Sequence, residues 1–184
     1  DPLYSEAKEL LQKAESLSKM TDEEKQLAKE DEVKKKAEEE VVNTKEQLKR
    51  EINSLEKGVD FSNYRGTIES LQIEIALFAT WAKIINDAEA TNNPEILSLA
   101  KQLKTKVSAV QAKEFPILRK EYTKIVASKM WENNIELSSD GDGNKYLNFI
   151  GAIFANNKNK KDYQKQIHEV LTMFRFNQSR YRWY

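Results

Sequence analysis

A change of period near residue 134 constrains this chain more than any other feature. From Asp1 to about Asn134, apolar residues recur every three or four positions amid dense Lys and Glu, the spacing of helix faces. From Ile135 to Tyr184 the pattern alternates, contains a Gly-Asp turn and closes on Arg180-Tyr181-Arg182-Trp183-Tyr184. The expected fold class is therefore mainly α with a small α+β C-terminal unit. In detail, an antiparallel helical bundle with an extended hairpin arm precedes a three-stranded antiparallel sheet and one helix, in the order ββαβ. Three segments are expected: a charged amphipathic hairpin or arm over 1–57, a helical bundle core over 58–134, and a basic ββαβ unit over 135–184 packed on the stem.

In the arm, Leu3, Ala7, Leu10, Leu11, Ala14 and Leu17 form one helical stripe that ends near Met20. Thr21-Asp22-Glu23-Glu24 has the form of a capping box, in which each side chain satisfies a backbone N–H at a new helix start. Val33, Ala37, Val41, Thr44, Leu48, Ile52 and Leu55 continue a seam at helical spacing, while Lys34-Lys35-Lys36 and Glu38-Glu39-Glu40 read as a solvated surface. Fewer than four clean heptads are present, which points to an ordinary bundle helix before a dedicated coiled coil.

Turn residues from Gly58 to Gly66 end the arm. The next helix is apolar around much of its circumference, through Ile68, Leu71, Ile75, Phe78, Trp81 and Ile85, so Phe78 and Trp81 are expected in the core. Asn93-Pro94-Glu95 supplies a cap, a first-turn proline and an acid for a following helix. Pro116 lacks the N–H of the helical ladder and is expected to kink or divide that helix near Phe115.

In the last segment, Ile135 to Ser139 and Tyr146 to Phe154 read as a hairpin about Asp140-Gly141-Asp142-Gly143-Asn144. A helix starting near Asn159 has an apolar face of Tyr163, Ile167, Val170, Leu171 and Phe174, and a strand from about Phe176 to Trp183 follows. With the preceding helix, the order αββαβ over about the last 70 residues is similar to the BON domain of bacterial envelope proteins. That family's glycine pattern is missing here, so the resemblance implies a topology and an anionic-lipid partner class but no site residue.

Zero net charge conceals an uneven distribution. Residues 1–57 carry 16 acids and 12 bases, 58–144 carry 12 and 10, and 145–184 carry 2 and 8. The basic, aromatic end makes Arg175, Arg180, Tyr181, Arg182, Trp183 and Tyr184 the candidate partner-binding residues. Period two places Tyr181 and Trp183 on one sheet face and Arg180, Arg182 and Tyr184 on the other. The plain alternative packs Tyr181 and Trp183 beneath the helix and leaves the arginines solvated or paired to acids.

No catalytic, cofactor or metal site is expected. The Asp140-to-Asn144 run matches the start of a calcium loop, but Lys145 replaces the glycine and Gly151 the bidentate Glu, which favours a turn. His168 is the only histidine and the chain has no cysteine, so multi-imidazole and thiolate sites are excluded. Glu69 and Glu74 lie near the apolar central helix, where burial would shift their ionisation. No phosphate-binding glycine loop or nucleophile elbow occurs.

With 33% charged residues and a mean hydropathy of −0.75, much of the surface should face water. The expected function is that of a noncatalytic interaction or scaffold protein docking through the arm and the C-terminal sheet. Its partner is expected to be a protein, with a homo-oligomer through the arm as one form of it. The alternatives are a nucleic-acid-binding protein using the basic sheet and an envelope-associated protein contacting anionic lipid. The chain begins Asp1-Pro2 without an initiator Met, which leaves an exported or lipoprotein precursor open and the compartment unassigned.

Overall fold

The computed structural model describes residues 2–184, with side chains from Tyr4 onward, so Asp1 and the Leu3 side chain of the first stripe lie outside the described residues. The elements in order are α1 (Pro2–Ser18), α2 (Asp22–Lys57), α3 (Ile68–Ala90), α4 (Pro94–Glu132), β1 (Glu136–Asp140), β2 (Tyr146–Ile150), α5 (Asn157–Met173) and β3 (Gln178–Arg182). The fold is mainly α with a small C-terminal α+β unit. Two compact units divide the chain, Asp1–Gln47 and Leu48–Tyr184.

The first unit contains α1 and most of α2. The break between these helices is held by the capping box: Thr21 N–H donates to Glu24 Oε2 at 2.8 Å, and Glu24 N–H donates to Thr21 Oγ1 at 3.3 Å. Glu32 and Lys36 pair one turn apart at 3.0 Å. None of the side chains from Tyr4 to Gln47 is buried, so this unit has helical pattern and caps but no core of its own.

In the second unit, the seam predicted for α2 becomes core, with Leu48, Ile52 and Leu55 buried. α3 and α4 form a helical hairpin whose turn is set by Asn93, a side-chain acceptor for the Glu95 and Ile96 N–H groups. Phe78 is buried against the rings of Phe61, Trp81 and Phe115, as expected for a central aromatic residue. The Trp81 indole N–H is satisfied by Glu51 Oε2 at 2.9 Å.

Pro116 does not divide α4, which runs for 39 residues through it. A proline removes one ladder donor, but its φ is compatible with a helix. Here the flanking Phe115, Leu118 and Arg119 are all buried, so packing outweighs the lost bond.

The sheet is mixed, not antiparallel throughout. β1 pairs antiparallel with β2, and β2 pairs parallel with β3, in the order β1-β2-β3. The reason is the helix between β2 and β3, which returns the chain to the end where β2 began, so β3 must run the same way. β2 also ends at Ile150, four residues before the predicted Phe154, because Gly151 leads into a 3-10 turn over Ala152–Ala155. Phe149, Phe154 and Tyr163 form an aromatic core beneath the sheet, and Tyr122 of α4 meets Phe174 at 4.5 Å between ring centres.

Candidate functional site

The six C-terminal candidates separate into different environments. Tyr181 belongs to the core: its ring stacks on Phe149 at 5.1 Å and 9°, with Phe154 edge-on at 5.0 Å. Burial pushes its phenol pKa up, an effect that Ser179 partly opposes. Trp183 stays 53% exposed, with Lys160 Nζ over its ring at 4.6 Å. Tyr184 is 85% exposed and its hydroxyl donates to Glu136 Oε2 at 3.3 Å.

Arg180 is spoken for on the opposite face, donating to Asp140 Oδ1 at 3.2 Å while its guanidinium lies 3.7 Å over the Tyr146 ring. Arg182 is exposed and has no side-chain partner among the described residues. No continuous stacking platform results, because the central aromatic is inside and the central arginine is paired.

Arg175 stands apart from these five. It follows α5 in the left-handed conformation, φ +56°, where its N–H bonds Thr172 O and the Phe176 N–H bonds Leu171 O. This is the helix-ending geometry that usually takes glycine. The Arg175 side chain turns toward α4, with Nη1 donating to Gln111 Oε1 at 3.1 Å and the guanidinium 4.0 Å over the Phe115 ring.

Beside it lies Arg119, a residue absent from the sequence-based candidates and only 4% exposed. Arg119 Nε donates to Gly143 O at 2.7 Å, and Nη1 donates to Phe174 O and Arg175 O, both at 3.2 Å. One side chain thereby joins α4, the β1–β2 turn and the α5–β3 connection. Gly143 permits the approach: at φ +63°, a Cβ there would sit 3.1 Å from Arg119 Nη2 and 3.3 Å from Pro116 Cγ. Burial lowers the Arg119 pKa, and the neighbouring Arg175 charge lowers it further against the pull of Asp142.

These residues border an open cavity of about 580 Å³, lined also by Lys145, Asp142, Gln111 and Pro116. The sequence did carry a signal for Arg119. It lies on the buried stripe of Phe115, Leu118 and Tyr122, where a charge must be paired or hydrogen-bonded.

A second buried ionic cluster joins the 58–67 connection to α3 and α4. Arg65 Nη1 donates to Glu74 Oε2, and Nη2 donates to Glu114 Oε2 at 2.7 Å. Glu74 is fully buried, its Oε1 lacks a hydrogen-bond partner, and burial pushes its pKa up to about 7. Arg65 opposes that rise and Glu114 adds to it. Glu69, the other carboxylate considered, is exposed in the first turn of α3. Glu74, sealed in this way, cannot touch a substrate, and its burial bears on stability.

The calcium-like run is a turn, with Asp140 directed to Arg180 and Asp142 within 3.9 Å of Lys145. Among the described residues, no group of three His, Cys, Asp or Glu side chains is placed to hold a metal ion. Among the described residues, no helix is long and apolar enough to cross a membrane. His168 sits on the exposed face of α5 beside Gln164 and Lys165.

The first unit offers a different kind of surface. Tyr4, Leu10, Leu11, Leu17, Leu27 and Val33 are all exposed, Leu10 and Leu11 at 67% and 63%. Lys36 is paired backward to Glu32, leaving the Glu38, Glu39 and Glu40 carboxylates without a cationic partner among the described residues. Compared with known proteins, the chain matches no family model, no curated protein and no solved structure.

Proposed function

We propose that this is a noncatalytic interaction or scaffold protein that docks through residues 1–47, with a second copy of the same chain as the occupant. The observation that carries this reading is a helical unit with exposed leucines and no buried side chain among the described residues. Isolated amphipathic helices gain most of their stability from packing an apolar face. Uncovered leucines at helical spacing are therefore a contact surface in need of a partner.

The charge order supports a self-complementary partner. In an antiparallel pair centred on Ala37, Lys34-Lys35-Lys36 of each copy lies opposite Glu38-Glu39-Glu40 of the other, and Val33 lies opposite Val41. Within one chain, the competing use of the same charges is a pair one turn apart. That arrangement is weaker when the lysine precedes the glutamate, and the Lys36 pair runs the other way, from Glu32 to Lys36. The acidic triplet therefore gains more from a second helix than from its own.

A charge exchange tests the reading. Lys35→Glu and Glu39→Lys, made singly, should each weaken self-association, and the double exchange should restore it. Association unaffected by all three would remove this register, and a monomer throughout would remove the self-docking surface.

The exposed Arg182, Trp183 and Tyr184 beside Lys160 favour a second reading, capture of a nucleic-acid or anionic-lipid partner at the C-terminal edge. It predicts retardation of single-stranded RNA or DNA, or co-sedimentation with anionic vesicles, that falls steeply with salt and is lost in Arg182→Gln with Trp183→Ala. Absence of both at low salt would sink it.

A further inference from the structure

The cavity between α4, the β1–β2 turn and the α5–β3 connection brings three cations together without a matching set of acids. Arg119, Arg175 and Lys145 border it, and Asp142 is the one carboxylate there. The Asp142 side chain is fully exposed and only 3.9 Å from Lys145, so water weakens its neutralising effect. Arg119 has the opposite situation. It is buried and bonded to three carbonyl oxygens, which orient its donors but supply no negative charge.

A structural staple explains those three hydrogen bonds and nothing more. It does not explain a second guanidinium held next to the first, on a left-handed backbone conformation that glycine and asparagine adopt far more readily than arginine. Nor does it explain why Arg119 Nη2, one of the forks with which arginine meets oxyanions, is left without an acceptor among the described residues. Both features make sense if an anion completes the site.

We propose that this cavity binds a small organic phosphate dianion, with the phosphate on Arg119, Arg175 and Lys145 and the organic part against Ala112 and Pro116. The excess of two positive charges matches a phosphate monoester at neutral pH. A volume of about 580 Å³ fits a small molecule and exceeds what phosphate alone would fill. A nucleic-acid backbone is a poorer match, since it presents charges along a line and these cations converge in one recess. Gln111, whose carbonyl oxygen is taken by Arg175, keeps its amide N–H groups for a phosphate or ester oxygen.

The test uses the full chain at low ionic strength, titrated with phenyl phosphate by calorimetry and checked by thermal shift. Inorganic phosphate and phenol serve as the two partial probes. Phenyl phosphate should bind more tightly than inorganic phosphate, and phenol should not register. Arg175→Asn, which keeps a residue tolerant of the left-handed conformation, and Lys145→Gln on the exposed turn should each weaken phenyl phosphate roughly tenfold. Lys83→Gln, on the exposed surface of α3 and outside the cavity lining, should leave it unchanged. No heat and no thermal shift at millimolar phenyl phosphate would overturn the proposal. So would equal affinity for inorganic phosphate, or binding that survives both cavity substitutions.

Discussion

Glu74 shows how one residue can link burial to pH. Its folded-state pKa is raised from 4.5 to about 7, so the native chain holds a proton there that the unfolded chain releases. The resulting stability is fully present below pH 4.5 and is lost as the pH rises through about 7. Glu74→Gln should flatten the decline in unfolding free energy between these two values, measured by urea denaturation across the range. An unchanged slope would place the titration elsewhere. Arg65→Ala removes the cation that opposes this rise, so it should push the Glu74 pKa higher still and extend the decline in stability to higher pH, read in the same denaturation series. The sequence showed Glu74 on an apolar helix, but Arg65, which joins it to Glu114, lies 9 residues from the first and 49 from the second, and no local pattern encodes that meeting.

At the scale of elements, the signals that were legible were the local ones. The Thr21–Glu24 box and the Asn93 cap work through side chains within three residues of the groups they satisfy, and both form as read. Asn93→Ala should therefore cost about 1 kcal/mol in denaturant stability, with little change in the urea m-value. Two outcomes that were not legible, an undivided α4 and a parallel β3, depend on distant packing. Pro116 stays inside α4 because buried neighbours hold the helix on both sides, and β3 runs parallel because a helix, not a turn, precedes it. The C-terminal candidates illustrate the same limit. Alternation separated Tyr181 from Arg180 correctly, but exposure distinguishes Tyr181 from Trp183, and that is set by Phe149, Phe154 and Lys160.

For the whole molecule, the contrast is between a unit with a core and one without. Residues 48–184 contain the buried aromatic clusters and both buried arginine networks, whereas no side chain from Tyr4 to Gln47 is buried. A fragment of residues 48–184 should consequently unfold in one cooperative transition, and its near-ultraviolet circular dichroism should match that of the full chain. A fragment of residues 1–47 should be helical only in proportion to its concentration, as expected when a partner supplies the missing burial. The most direct measurement is sedimentation equilibrium of the full chain and of residues 48–184 over a wide concentration range. The account predicts a reversible dimer for the full chain that disappears in the fragment and in Leu10→Glu with Leu11→Glu. A full chain that remains monomeric throughout, or a fragment that dimerises as well as the full chain, would contradict it.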